Sequence, residues 1–427
     1  MKERISFYTL GCRLNQAETA IMQKSMEQAG FRTVDFGDAS DIVVINTCTV
    51  TENSDADTRR VVNKIQRIND KAKIALVGCQ AQVQGQKLAD LPGVKWVIGN
   101  ALKMDLATLL SADYDGETQV LTPVIKKGSF TIPFAAVDEN RTRANLKIQD
   151  GCDFFCSFCE IPFARGRARS REFEDILREA RQLAAAGHQE VVLTGINVGT
   201  FSYEDKTICD VIASLEKISD LKRIRISSIE PTTIPGQLLD KIAERQKLCR
   251  YLHIPVQSGN DEILQNMNRK YSVAEFSDFI QKAHAKIENV CIGTDVIVGF
   301  PGETDTHFTD SYDTLRELPF TYFHVFSYSD RDHNKSRKYG NKVDKQTIDM
   351  RSKRMRDLSA RKRRVYFERN IGGIESVLFE QKKNSYWTGL TDTYIRVKAK
   401  SELDIANQIL PVRLEAVDQQ TIIGTIL

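Results

Sequence analysis

The sequence predicts an α/β protein in three parts. These are an N-terminal doubly wound parallel sheet, a central partial (β/α) barrel of the TIM type, and a small C-terminal antiparallel β-barrel of the oligonucleotide-binding (OB) type. Three observations carry this. Short apolar runs alternate with helical periods up to about Thr122. Strand-then-helix units recur from Leu146 to about Asp349. Beyond Gly372-Gly373 the period falls to two, in five closely spaced runs.

The first part opens with Ile5 to Thr9, a strand that turns at Leu10-Gly11-Cys12. Helical spacing follows from Gln16 to Gly30. Asp41 to Asn46, Lys73 to Val77 and Val94 to Ile98 are apolar runs of the buried parallel-strand kind. In such sheets ligands bind beyond the carboxyl ends of the strands. Cys12, Cys48 and Cys79 each follow a strand end, so the topology brings three thiols to one edge. Three packing cysteines are the alternative.

Residues 133–143 look like a polar linker. The barrel strands are expected at Leu146 to Gln149, Glu190 to Thr194, Arg223 to Ser227, Leu252 to Ile254, Gly293 to Val298 and Tyr322 to Phe326. Barrel active sites lie on the loops after the strands. The loop after the first strand carries Cys152-x3-Cys156-x2-Cys159. On the same face fall Gly195-Ile196-Asn197, Ser228 to Pro231, Pro255 to Gly259 and Gly299 to Glu303.

Arg351 to Arg369 reads as a basic helix, either a solvated face or a phosphate-contacting surface. In the last part, Tyr386, Trp387 and Tyr394 stand beside Lys382, Lys383, Arg396, Lys398 and Lys400. They could stack bases and bind phosphates, or be ordinary barrel core.

At 427 residues the chain exceeds one ordinary core. Its 41% hydrophobic and 27% charged content fits a globular protein. No apolar run approaches the ~20 residues of a membrane span. The charged start, Met1 to Ser6, has no signal-like apolar stretch, so a cytoplasmic location is expected. In a reducing compartment, nine cysteines argue for metal ligation or catalysis over disulfides.

Structural zinc wants four ligands. No fourth Cys or His stands near Cys152, Cys156 and Cys159; His188 is the closest downstream. A 4Fe–4S cluster normally takes four cysteines, so three leave one iron open to a ligand. Cys12, Cys48 and Cys79 repeat that arithmetic. Cys209, Cys249 and Cys291 have no partner spacing and read as packing residues.

The triplet Cys152-x3-Cys156-x2-Cys159, with Phe158 before the last cysteine, resembles the radical S-adenosylmethionine (SAM) signature. With Cys12, Cys48 and Cys79 upstream, the whole chain resembles the methylthiotransferase family. Further motifs of that resemblance are Ile161-Pro162-Phe163-Ala164-Arg165-Gly166-Arg167, His253 to Gly259, Met267-Asn268-Arg269-Lys270-Tyr271 and Thr294 to Glu303. The surroundings of the first two cysteines, Thr9 to Gln16 and Asn46-Thr47-Cys48-Thr49-Val50-Thr51, look like the branch acting on N6-threonylcarbamoyladenosine at tRNA position 37. Phe326 to Asp330 departs from the family by lacking a proline-rich run, and Gln80 stands where Tyr is common.

The resemblance implies a cluster-binding domain over 1–122, a radical SAM core over 134–365 and a TRAM-like RNA-binding domain over 366–427. It implies two 4Fe–4S clusters, a radical SAM cluster on Cys152, Cys156 and Cys159 and an auxiliary one on Cys12, Cys48 and Cys79. SAM would bind the open iron of the first and be cleaved to a 5′-deoxyadenosyl radical. The second would carry the sulfur, and the product would be a C2-methylthioadenosine. Phe158, Gly195, Asn197 and Glu230 are the expected SAM contacts. The implied partners are the tRNA anticodon arm, a reductant protein of flavodoxin or ferredoxin type, and a sulfur donor. Rival readings are a family member acting on N6-isopentenyladenosine or on a ribosomal protein, and an RNA-binding protein with structural zinc.

Overall fold

The computed structural model describes residues 3–427 except 50, 112–115, 136 and 138–140. Met1 and Lys2 of the charged start, Val50 of the Cys48 motif and parts of the expected linker thus lie outside the described residues. No helix among those described is long and apolar enough to cross a membrane.

The N-terminal sheet has six parallel strands in the order β2-β1-β3-β4-β5-β6. They are β1 (Arg4–Thr9), β2 (Arg32–Thr33), β3 (Ile42–Thr47), β4 (Lys73–Gly78), β5 (Val94–Gly99) and β6 (Gln119–Leu121). Successive side chains of a strand point to opposite faces. Val44 therefore packs with Met22 and Met26 of α1 (Arg13–Gln28), while Val43 and Ile45 pack with Val62 and Ile65 of α2 (Glu52–Ile68). Every residue of β3 is buried, which is why it reads as one apolar run. The edge strands β2 and β6 are too short to leave a periodic signal.

Six parallel strands form the partial barrel: β7 (Arg143–Lys147), β8 (Glu190–Thr194), β9 (Arg223–Ile226), β10 (Tyr251–His253), β11 (Cys291–Val298) and β12 (Tyr322–Ser327). They pair as β9-β8-β7 and β10-β11-β12. Bridges Ile224↔Leu248 and Ser228↔His253 join the halves. The helices α3 (Phe173–Ala185), α4 (Ile208–Glu216), α5 (Leu238–Ala243), α6 (Val273–Lys286) and α7 (Asp305–Glu317) cover the outside. The last helix, α8 (Lys345–Arg369), packs on β12 through Met355 and Leu358, and Ser359 Oγ accepts from Phe323 N at 2.8 Å. Arg351, expected on a solvated or phosphate-contacting face, is on neither. It is buried against Glu303 and Asp305, each at 2.7 Å. Lys353, Arg356, Arg364 and Arg369 stay exposed.

The C-terminal strands β13 (Ile374–Lys383), β14 (Tyr386–Thr391), β15 (Arg396–Ala399), β16 (Ile409–Asp418) and β17 (Thr421–Ile426) close a barrel in the order β13-β14-β15-β17-β16. All pairs are antiparallel except β15 with β17. That is the five-stranded Greek-key arrangement of an OB-type barrel. It sits under the amino ends of the central strands. Arg223 and Arg225 donate to the carbonyls of Leu390 and Asp392 at 3.0 and 2.9 Å, and Arg250 pairs with Asp392 at 2.7 Å. Two of the aromatics considered for base stacking point inward. Trp387 lies in the barrel core, and the Tyr394 ring packs 4.7 Å from Tyr251. Tyr386 is half-buried, with Lys400 over its ring at 5.5 Å.

A buried ion network welds the N-terminal sheet to the central barrel. Glu18 of α1 pairs with Lys103, with Lys147 of β7 at 2.8 Å and with Arg165 at 2.9 Å. Asp150 pairs with Lys147 at 2.7 Å and Arg165 at 3.0 Å. Burial opposes ionisation of both acids, but Arg165, Lys103 and Lys147 hold Glu18 well below the usual carboxylate range. Lys147 and Arg165 do the same for Asp150.

A candidate active site between two cysteine trios

The loop after β7 is shaped by its own backbone. Gly151 has φ +73°, and a Cβ there would lie 2.0 Å from the Arg167 carbonyl oxygen, so only glycine fits. Cys152 N donates to Gly166 O at 3.1 Å, and Cys159 N to Cys156 O at 3.0 Å. The segment Met267 to Tyr271 clamps the loop from outside. Ser157 N donates to Met267 O at 3.0 Å, and Asn268 Nδ2 to Phe155 O at 3.0 Å. Arg269 Nη1 donates to Cys156 Sγ at 3.2 Å while Nη2 pairs with Glu230.

The second trio is made by strand order. Because β1, β3 and β4 are neighbours, Cys12, Cys48 and Cys79 meet at their carboxyl edge. Gly11, at φ +92°, lets the chain pass Cys48, whose Sγ would be 2.8 Å from a Cβ at that position. Asn15 Nδ2 ties Leu10 O at 2.8 Å to Thr47 O at 3.0 Å, holding the first two turns together. Asn100 Nδ2 lies 3.6 Å from Cys79 Sγ and donates to Ala164 O at 2.6 Å, on the far side of the domain junction.

None of the nine cysteines is in a disulfide. Burial pushes the Cys152 thiol up to about 11. It also raises Cys159, Cys156 against the pull of Arg269, and Cys12 against the pull of Arg165. Buried thiols held this way become thiolates only when a metal supplies the charge. Among the described residues, the only three Cys, His, Asp or Glu ligand atoms lying within 4.8 Å of one another belong to His253, Asp295 and His324. Neither cysteine trio is therefore drawn in to the spacing of one tetrahedral zinc. Three thiols without a fourth, set wider than a zinc site, fit a cluster with one open corner.

A cavity of about 220 Å³ lies at the carboxyl ends of the barrel strands. It runs from Thr51, just past Cys48, to Phe158 and Cys159, with Asp295 and Phe326 on its floor. Glu160, also in the wall, has one buried carboxylate oxygen without a hydrogen-bond partner.

Residues 146–315 match the radical SAM superfamily model, and residues 4–99 match a model described as the uncharacterized protein family UPF0004. The threonylcarbamoyladenosine tRNA methylthiotransferase MtaB of Bacillus subtilis is 34% identical over 421 residues, covering 96% of this chain and 93% of that protein. The tRNA-2-methylthio-N(6)-dimethylallyladenosine synthase of Wolinella succinogenes is 30% identical, covering 99% of each chain. The chain belongs to the radical SAM methylthiotransferases. It is an enzyme that transfers a sulfur-containing group, and the family's cofactors are SAM and two 4Fe–4S clusters. The fold agrees. TsrM of Kitasatospora setae, a radical SAM methyltransferase, superposes with a TM-score of 0.55 at 15% identity, over 76% of this chain and 73% of that one.

Of the expected SAM contacts in this methylthiotransferase, Phe158 lines the cavity, whereas Gly195, Asn197 and Glu230 are not among its lining residues. Phe158 packs against Ile263, Met267 and Phe300. Gly195 abuts the Gln149 side chain, whose Oε1 accepts from Ile196 N at 2.9 Å and Asn197 N at 3.0 Å. Asn197 Oδ1 accepts from Glu230 N at 3.2 Å, while its buried Nδ2 has no partner. Glu230 is engaged by Arg269, and its burial raises the carboxyl above its ordinary value. Sequence reasoning had quoted the Met267 to Tyr271 motif but assigned Arg269 no role. Nor does the sequence single out Gln149, or Gln257, which lines the cavity with Cys159 and Asp295; the signal available for Gln257 is its place in the His253 to Gly259 motif.

Proposed function

We propose that this tRNA methylthiotransferase places a methylthio group on C2 of N6-threonylcarbamoyladenosine at position 37. The observation that carries the reading is the agreement of two signals. The residues around Cys12 and Cys48 have the pattern of that branch. Relatives bearing that activity in their names are 32–34% identical over most or all of the chain.

In this reading, Cys152, Cys156 and Cys159 hold the cluster that with SAM supplies one-electron chemistry, and Cys12, Cys48 and Cys79 hold the one that supplies sulfur. The chain's own residues orient and enclose. Arg269 donates to Cys156 and pairs with Glu230. Asn197, with its unpaired Nδ2, would offer a donor to SAM, and Phe158 would pack near its adenine. The cavity between Thr51 and Cys159 receives the substrate base. Residues 1–122 and 134–365 carry the two clusters, while 366–427 and the exposed cations of α8 hold the anticodon arm in the cytoplasm. Binding through phosphates makes tRNA affinity salt-dependent. A reductant protein and a sulfur donor complete the cycle.

Nucleoside analysis of tRNA from a deletion strain tests the substrate. Loss of 2-methylthio-N6-threonylcarbamoyladenosine is expected. Its persistence, with loss of the isopentenyl counterpart, overturns the assignment.

A further inference from the structure

Beneath the candidate active site the barrel interior opens into a second hollow of about 200 Å³, bounded below by the C-terminal barrel. Its wall carries Arg13, Arg363, Arg396, His324 and several tyrosines, and none of its lining residues is an Asp or Glu.

Other arginines nearby are neutralised. Arg225 has Glu190 at 2.8 Å, and Arg250 has Asp392 and Glu375 at 2.7 and 2.9 Å. Two of those facing the hollow are not. Arg13 reaches the Tyr394 hydroxyl at 2.5 Å and lies 5.5 Å above its ring. Arg363 reaches Gln420 at 3.3 Å and the Tyr322 ring at 5.0 Å. Neither pairs with a carboxylate among the described residues. Arg396 has Glu380 only at 3.8 Å. The positive potential is felt by the wall itself. Burial raises the Tyr394 phenol, yet Arg13, Arg143, Arg225 and Arg396 bring it below its ordinary value.

The hollow lies one step below the upper cavity. Along β12, Phe326 borders the upper space and His324 the lower. Residues two apart on a strand share a face and stand about 6.6 Å apart. Asp295, in the upper wall, pairs with His253 at 3.0 Å, and the His253 ring is 5.6 Å from that of His324. Arg13 itself directly follows Cys12. A base held between the trios thus has cations within reach of a short N6 substituent.

We propose that this hollow receives the carboxylate of the N6-threonylcarbamoyl group, with Arg13 and Arg363 as its charge partners and His324 at its entrance. The proposal rests on the substrate reading above. A guanidinium fork matches a carboxylate and forms charge-assisted hydrogen bonds with it. An isopentenyl group offers no charge to these arginines and leaves them desolvated and unpaired, so the same contact rejects the wrong substrate.

A phosphate of the RNA is the other source of a matching anion, and the test separates the two. Three anticodon stem-loops of one sequence would be titrated onto the cluster-loaded protein at fixed salt, read by fluorescence anisotropy. They carry adenosine, N6-threonylcarbamoyladenosine, or its neutral methyl ester at position 37. The acid should bind tighter than the ester. Arg13→Gln and Arg363→Gln should each remove about tenfold of that preference, the size of one charge-assisted bond, while affinity for the adenosine RNA holds. Arg363 lies on α8, away from all six trio cysteines, so its variant serves as the control if Arg13→Gln lowers iron content. Equal loss on all three RNAs assigns the arginines to phosphate and overturns the proposal. So does equal affinity of acid and ester for the unsubstituted protein. The nucleoside profile of the deletion strain reports on the substrate reading separately. If threonylcarbamoyladenosine is the lost substrate but no acid preference exists, this inference alone fails.

Discussion

The two cysteine trios reach the same three-thiol arrangement by opposite routes. Cys152, Cys156 and Cys159 share one loop, and backbone bonds inside it, such as Cys159 N to Cys156 O, set their spacing. Cys12, Cys48 and Cys79 come from three turns, assembled only when β1, β3 and β4 pair side by side. The local trio depends on loop conformation and an external clamp. The distributed trio depends on the sheet, and on Gly11 letting two turns touch. The difference teaches where each can be damaged alone.

The largest expected effects separate the two outright. Cys156→Ala should abolish SAM cleavage, measured as 5′-deoxyadenosine. Cys48→Ala should spare that cleavage and abolish methylthiolation. Each should retain about four of the about eight irons of two 4Fe–4S clusters. Cleavage surviving in Cys156→Ala would erase the distinction.

Glycine variants sharpen it next. Gly151→Ala drives a Cβ into the Arg167 carbonyl, which is backbone and cannot yield cheaply. Gly11→Ala meets Cys48 at 2.7 Å in a left-handed conformation. Each should lower iron only at its own trio, as read by iron content together with 5′-deoxyadenosine yield. Loss at both trios from either variant counts against independent assembly.

Arg269 probes the clamp. Removing one partner of a buried pair costs about 3–5 kcal/mol. Arg269→Met should lose that much in urea unfolding, and adding Glu230→Gln should recover part of it. No recovery would show that Glu230 is not the buried charge left behind.

The junction between the trios should give a smaller, pH-dependent effect. Folding lowers the pKa values of Glu18 and Asp150, so the stability they contribute is present above about pH 4, the ordinary carboxylate value, and is lost as pH falls through the folded values. Glu18→Gln should weaken this acid dependence; an unchanged profile would mean the network contributes nothing. The smallest effect concerns RNA alone. Lys400→Ala should lower the salt slope of tRNA binding by about one and leave both clusters loaded.

Legibility followed the range of the cause. Strand positions such as Glu190 to Thr194 were readable because burial on both faces leaves an apolar run. The Cys152 loop was readable because its spacing is local. The distributed trio was readable only through the rule that parallel strands present their ends to one edge. What escaped depended on neighbours. Trp387 and Tyr394 have the composition of a base-stacking surface, but barrel closure turns one inward and docking under β10 covers the other. Arg351 looked like part of a free cationic face until Glu303 and Asp305 arrived beside it.

The sequence by itself determined the three-part α/β architecture, the two sets of three cysteines and the family. These reside in periods, spacings and motifs carried along the chain. Tertiary structure alone decided that Arg269 would meet Cys156, that Glu18 would meet three cations from separate segments, and that Arg13 and Arg363 would face one hollow without an acid. Those outcomes depend on which desolvated groups lie opposite each other once the sheet and both barrels have packed, and no local pattern encodes that.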